Sequence, residues 1–189
     1  MTRRRLHRAL AVVLALFLIA HLGNHLAGLA GQDMHGAVQD ALRLVYRNRL
    51  VEIVLLLAVT VQVAVGLALL AAQPRLTLQT GSGAYLALFL MIHVGAVLSA
   101  RWQGTDTTLA FAAAGLHANA PWPLVFSVYY GVAVAAVFAH VSVPLERRKA
   151  ALGNGVLGLG VAMAAVLVAM LLGLVHPLII PQALITAFP

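Results

Sequence analysis

Residues 9–27 read ALAVVLALFLIAHLGNHLA, and this stretch decides the fold. It carries no charged residue, and its polar side chains enter only near its end, at His21, Asn24 and His25. Four more apolar runs follow, so we predict membrane spans at residues 6–27, 50–72, 84–100, 124–143 and 155–175. At about 1.5 Å per residue these runs are long enough, or nearly so, to cross ~30 Å of hydrocarbon.

Lipid offers the backbone no hydrogen bonds, and at these lengths only helices satisfy their own backbone groups. The sequence therefore predicts an all-α integral membrane protein, a five-transmembrane-helix bundle in contact with the lipid bilayer. Dividing the length by the usual domain size of ~150 residues gives a single domain over residues 1–189.

The composition excludes several classes of protein. Apolar residues make up 62% of the chain and charged residues 9%, which excludes a water-soluble globular domain. The chain has no cysteine, so it offers no disulfide, thiolate metal site, cysteine nucleophile or cysteine-held iron–sulfur cluster. Lys and Arg flank the apolar runs, which argues against nucleic acid as a partner. We find no catalytic constellation, so any enzyme role is at most that of a non-catalytic or quinone-site subunit.

The positions of Lys and Arg predict the orientation. The N-terminus, second loop and fourth loop carry eight of them, and the first loop, third loop and C-terminus carry four. The positive-inside rule then places the N-terminus in the cytoplasm and the C-terminus outside, in a multi-pass protein of the cell inner (cytoplasmic) membrane. The first apolar run resembles a signal peptide, but it lacks an Ala-x-Ala cleavage site, and we expect a retained helix.

The loops carry weaker signals. Met34, Val38, Leu42 and Val45 recur at helical spacing, which indicates a short surface helix in the first loop. We expect the histidines of the tail and loops to be solvated; these are His7, His35 and His117. His176, at the outer end of the fifth span, is expected at the interface. No internal repeat is apparent in the sequence.

Polar residues inside the spans sort into two depths when they are counted from the nearest charged boundary residue. By this count, His21 and His93 lie about 10–12 Å below the outer face of a ~30 Å core. Gln62 and His140 lie about 10 Å from the inner face. Ionisable groups at such depths are costly and usually face a cofactor, a partner or a cavity.

Two histidines at one depth on different helices suit the axial ligation of haem b iron. Gly28 and Gly66 lie on the helix faces of His21 and Gln62, where they would leave space for a porphyrin. The alternative is that each intramembrane histidine is an interhelical hydrogen-bonding group, which is the commoner role of a single one. His25 suits a propionate or a loop carbonyl as well as it suits iron.

These residues resemble the single-chain, five-helix, di-haem cytochrome b membrane anchor of succinate dehydrogenases and fumarate reductases (type B). The likeness covers about residues 3–145. The matching pieces are Arg4-Arg5-Leu6-His7, Phe17-Leu18-Ile19-Ala20-His21-Leu22, Val51-Glu52-Ile53 with Gln62 and Gly66, Ile92-His93-Val94, Tyr129-Tyr130-Gly131, and Phe138-Ala139-His140.

The resemblance implies an outer haem on His21 and His93 and an inner haem with His140 as one ligand. It also implies flavoprotein and iron–sulfur subunits as partners, and quinone as the electron donor or acceptor. The second-helix ligand of the family is a histidine, whereas this chain has Gln62. Glutamine is a poor ligand for haem iron, so we expect about one haem b per chain, with the inner site empty or weakly occupied by a five-coordinate haem on His140.

Three functions follow for testing. The first is a haem b anchor subunit that transfers electrons between a succinate dehydrogenase or fumarate reductase-type partner and quinone. The second is a stand-alone haem-binding or scaffold membrane protein of the same fold, which could form homo-oligomers. The third, a small transporter, is disfavoured because no span looks broken in mid-membrane and no inverted repeat is visible.

Overall fold

The computed structural model describes residues 2–73 and 75–188, and within these ranges the chain forms helices and no strand. Five helices are long and apolar enough to span a membrane, which confirms the predicted all-α fold and the number of spans. They are α1 (Arg3–Ala27, continued by a 3₁₀ turn, Gly28–Ala30), α3 (Arg49–Ala71), α4 (Leu78–Trp102), α6 (Trp122–Glu146) and α7 (Ala150–Leu171). The other helices are α2 (Gln32–Tyr46), α5 (Leu109–Ala113, continued by a 3₁₀ turn, Ala114–His117) and α8 (Gln182–Ile185).

Several helix ends differ from the predicted spans. The third span begins at Leu78, not at residue 84, because Thr77 and Thr80 form a reciprocal capping box there. The fifth span begins at Ala150 and ends at Leu171, earlier than the predicted residue 175. Gly173, with φ at +73°, follows that end in a left-handed conformation that favours glycine.

The helices form two compact units, residues 1–74 and 75–189. In the first unit α1 packs on α3, and α2 contacts both. This arrangement confirms the predicted helix in the first loop. The single domain and the orientation of the termini stay predictions.

In the second unit α6 is the central helix and packs on α4, on α7 and on the 3₁₀ turn after α5. Small residues allow the close approach of α6 and α7, since a Cβ on Gly160 would overlap Phe138. The connection between α4 and α6 is apolar and deeply buried at Leu109, Ala113 and Leu116. This segment therefore folds against the spans instead of forming an open loop.

Candidate functional site

The two histidines predicted at the outer level, His21 and His93, each stack on a phenylalanine of their own helix. In α1 the ring of His21 stacks on Phe17, with centroids 5.6 Å apart and planes at 18°. In α4 the ring of His93 stacks on Phe89, with centroids 5.0 Å apart and planes at 13°. Both imidazoles are half-buried. Each is therefore held along its own helix by an aromatic ring one turn earlier.

A sequence repeat underlies this likeness. Residues 14–23 read LALFLIAHLG and residues 86–95 read LALFLMIHVG. The second spans of the two units match as well, with QVAVGL at 62–67 and HVSVPL at 140–145. The expectation of no internal repeat was wrong, because the matching segments are short and the connections between them differ in length. Aligning the chain on His21 and His93 reveals it.

At the predicted inner level, Gln62 contacts a residue that we expected to be solvated. His7 is half-buried, and its Nε2 lies 3.4 Å from the amide nitrogen of Gln62. The amide can only donate, so the imidazole accepts at Nε2. A Cβ on Gly66 would lie 3.6 Å from Cε1 of His7. The space beside Gly66, which we assigned to porphyrin, is therefore occupied by the His7 ring.

His140 is held in a similar way by α4. Its Nδ1 lies 3.0 Å from the carbonyl oxygen of Gln79 and 3.4 Å from Oγ of Ser82. A carbonyl oxygen only accepts, so Nδ1 carries the ring proton and Nε2 carries the lone pair. A Cβ on Gly83 would lie only 3.0 Å from Cε1 of His140. A side chain at this position would therefore require the His140 ring to shift by a few tenths of an ångström.

The two inner arrangements share one motif. Gln62 and Gly66 form Gln-x₃-Gly on α3, where the Gln62 side-chain amide contacts His7 of α1. Gln79 and Gly83 form Gln-x₃-Gly on α4, where His140 of α6 bonds the backbone carbonyl of Gln79. We call each arrangement a histidine clasp. In the first unit the histidine lies on the first span and the glutamine on the second. In the second unit this order is reversed. These residues do not fit an inner haem with Gln62 as a ligand, because the Gln62 amide and the Gly66 gap are used by His7.

The end of the first unit at which α1 meets α2 contains a buried polar cluster. The His25 ring lies edge-on to His21, with centroids 4.8 Å apart, and 5.4 Å from the ring of His35. The amide nitrogen of Asn24 lies 3.2 Å from Nε2 of His35. His35 is 1% exposed, so the expectation that it is solvated was wrong. Burial, reinforced by the positive charge of Arg43, lowers the pKa of His35 to about 4.

The remaining predicted positions lie at helix ends. Gly28 is buried and begins the 3₁₀ turn after α1, so its role beside a porphyrin stays a prediction. His117 is half-buried and donates from Nε2 to the carbonyl oxygen of Leu171 at 2.9 Å, so it is not a solvated loop residue. His176 is exposed, and its position at the membrane interface stays a prediction.

Two half-buried imidazoles have the donor chemistry of low-spin haem b, and His21 and His93 supply them from membrane-spanning helices. Across residues 2–73 and 75–188, no group of three or more His, Asp or Glu side chains is arranged to hold a metal ion. Comparisons with models of known protein families, with characterised proteins and with solved structures found no match to this chain.

Proposed function

We propose that the chain is a membrane haem b protein that transfers electrons between a succinate dehydrogenase or fumarate reductase-type partner and quinone. The observation that supports it is the pair of matched stacks, Phe17 with His21 and Phe89 with His93, each on a helix long enough to span the membrane. In this proposal His21 and His93 are the axial ligands of one haem at the outer level.

Haem b would supply reversible one-electron chemistry when bound. The chain's own contribution is to position and shield the group. Phe17 and Phe89 restrict the rotation of the two imidazoles, which keeps each ligand ready without a large entropy loss on binding. The Phe89 ring also contacts Tyr129, whose carbonyl oxygen accepts a hydrogen bond from Tyr85 at 2.9 Å, so α4 and α6 together fix this ring.

The histidine clasps favour a second candidate, a stand-alone haem-binding or scaffold protein of the same fold. An inner haem would carry electrons from the outer level to a partner on the cytoplasmic side. Gln62 contacts His7, and Nδ1 of His140 lies against the Gln79 carbonyl, so the inner-level side chains already have roles in helix packing. A protein with one haem and no flavoprotein partner would then bind haem without a complete electron path.

The haem spectrum tests the proposed ligands. His21→Ala and His93→Ala should each abolish the low-spin bis-imidazole spectrum of the purified, haem-loaded protein. His176→Ala is the matched control, because His176 is exposed and should leave the spectrum intact. Equal, full haem content in all three variants would refute the assignment.

Purification of the tagged chain from its native membrane separates the two functions. Co-purification of a flavoprotein and an iron–sulfur protein supports the anchor subunit. A haem-loaded chain that purifies alone, under detergent conditions that preserve known respiratory complexes, supports the stand-alone protein.

A further inference from the structure

The helix between the first two spans, α2, has its polar face turned inward and its apolar face exposed. His35, Gln39 and Arg43 recur every four residues and so share one face. They are 1% exposed, 9% exposed and, for the Arg43 side chain, 13% exposed. A helix on a water-facing surface has the opposite arrangement. The outward face of α2 therefore suits surroundings that are less polar than water.

The outward face of α2 carries an apolar stripe. Its members recur at helical spacing and are all exposed; they are Met34, Ala37, Ala41, Leu44 and Val45. Leu44 is 83% exposed, so the first unit does not cover this stripe itself. No Lys or Arg is exposed between Gln32 and Tyr46, whereas a helix that binds anionic headgroups carries such residues beside its apolar face. The stripe therefore fits an uncharged, apolar partner.

The charged residues on the exposed side of α2 lie along one edge of the stripe. Asp33 and Asp40 are two helical turns apart, so they share that edge. Both side chains are exposed. A carboxylate is costly to remove from water, whereas the stripe beside it is not. This pattern is typical of a helix that lies along the boundary between water and an apolar phase.

The neighbouring span indicates which apolar phase this is. Only Arg47 and Asn48 separate α2 from α3, which is long and apolar enough to span a membrane. The first turns of α3 expose Leu50, Ile53 and Leu57. Apolar side chains that are exposed on a spanning helix face lipid tails. Because α2 packs on both α1 and α3, the same lipid phase can cover the stripe.

We propose that α2 docks on the membrane surface, with its apolar stripe against lipid acyl chains and its aspartate edge toward water. The helix then lies in the leaflet at which α1 ends and α3 begins. Within the protein, the amide nitrogen of Asn24 lies 3.2 Å from Nε2 of His35. This hydrogen bond lowers the cost of turning the polar face inward, which leaves the apolar face outward. The contact requires no haem, so it does not rest on the function proposed above.

Nitroxide labels test this contact in the full-length protein, reconstituted in phosphatidylcholine nanodiscs. The chain has no native cysteine, so single cysteines at Ala37, Ala41 and Leu44 each give one labelled site. Oxygen concentrates among acyl chains, and a hydrophilic nickel chelate stays in water. We expect collisions with oxygen to exceed collisions with the chelate several-fold at these positions. Asp33→Cys and Asp40→Cys are the matched controls on the same helix, where this ratio should be several-fold lower.

Two results would overturn the proposal. Chelate collisions as frequent on the stripe as at Asp33 and Asp40 would mean that α2 faces water. Protection of the stripe from both reagents would mean that protein covers it, and dipolar broadening between labels would then identify a second copy of the chain. All the labelled side chains are exposed, so the substitutions should leave the packing intact, and three positions on the stripe keep the test decisive if one variant fails to fold.

Discussion

The two units carry a similar pair of spans but differ in the segment that connects those spans. In α1–α3 and in α4–α6, a Phe–His stack marks the first span and a histidine clasp joins the two spans. Between the spans, the first unit has the polar-faced helix α2. The second has α5 with its 3₁₀ turn, buried through Leu109, Ala113 and Leu116.

The features that the two units share are structural, whereas the feature found in only one unit is a candidate binding site. The features that recur hold the spans together or orient an imidazole, and they need only short motifs. The feature that does not recur is the buried polar face of α2, with His35 and Arg43, whose burial costs desolvation energy. Costly polar burial in one copy of a repeated hairpin is where we expect binding specificity to lie.

Acid pH should destabilise α2 in the first unit and leave α5, the segment between the spans of the second unit, unaffected. The pKa of His35 falls from 6.5 to about 4 on folding. The contribution of neutral His35 to the free energy of unfolding is therefore complete above pH 6.5 and is lost as the pH falls toward 4. The loss amounts to about 3 kcal/mol at most. Hydrogen exchange of the α2 amides should report it, after correction for intrinsic rates.

His35→Gln is the control for this effect, because glutamine does not titrate. The pH dependence of α2 exchange should flatten in the variant, while exchange in α5 should be the same in both proteins. An unchanged pH dependence in His35→Gln would assign the acid sensitivity to another group.

The two clasps should differ in their tolerance of a methyl group. A Cβ at position 83 would lie 3.0 Å from His140, whereas one at position 66 would lie 3.6 Å from His7, an ordinary contact distance. Gly83→Ala should therefore destabilise the protein by about 1–3 kcal/mol through overpacking, and Gly66→Ala by much less. Unfolding in mixed micelles measures both. Equal losses would mean that the clasps pack equally tightly.

A histidine introduced at position 62 should not recruit a second haem. It would restore the residue found at the matching position of the repeat, His140, but the His7 ring would still occupy the space beside Gly66. We expect haem extraction to give about one haem per chain in both wild type and Gln62→His. A ratio near two in the variant would show that His7 moves aside and that an inner site can form.

The sequence predicted the spans well because each depends on a continuous apolar run, which hydropathy detects without tertiary information. The depth of His21 and His93, which comes from counting residues, stays a prediction. The sequence did not predict the partners of Gln62 or His35. His7 and His35 lie among charged and loop residues in the sequence, and only the packing of α1 against α3 and α2 buries them. The two histidine clasps could have been predicted from the Gln-x₃-Gly motifs that begin at residues 62 and 79, but only after the sequences of the two units were aligned.

Single cysteine substitutions, which should perturb the protein least, test the membrane orientation that the two units should share. Two spans, α1 and α3, precede α4, so α1 and α4 should begin on the same side of the membrane, which the Lys and Arg positions assign to the cytoplasm. Single cysteines at exposed Asp33 and Asn154 should be labelled by an impermeant maleimide from outside and inside, respectively. Asn154 is preferable to Gly153, where a side chain would meet the Glu146 backbone. The chain has no native cysteine, so each reading is unambiguous. Labelling of Asp33→Cys from the cytoplasmic side would reverse the topology, and with it the assignment of His21 and His93 to the outer level.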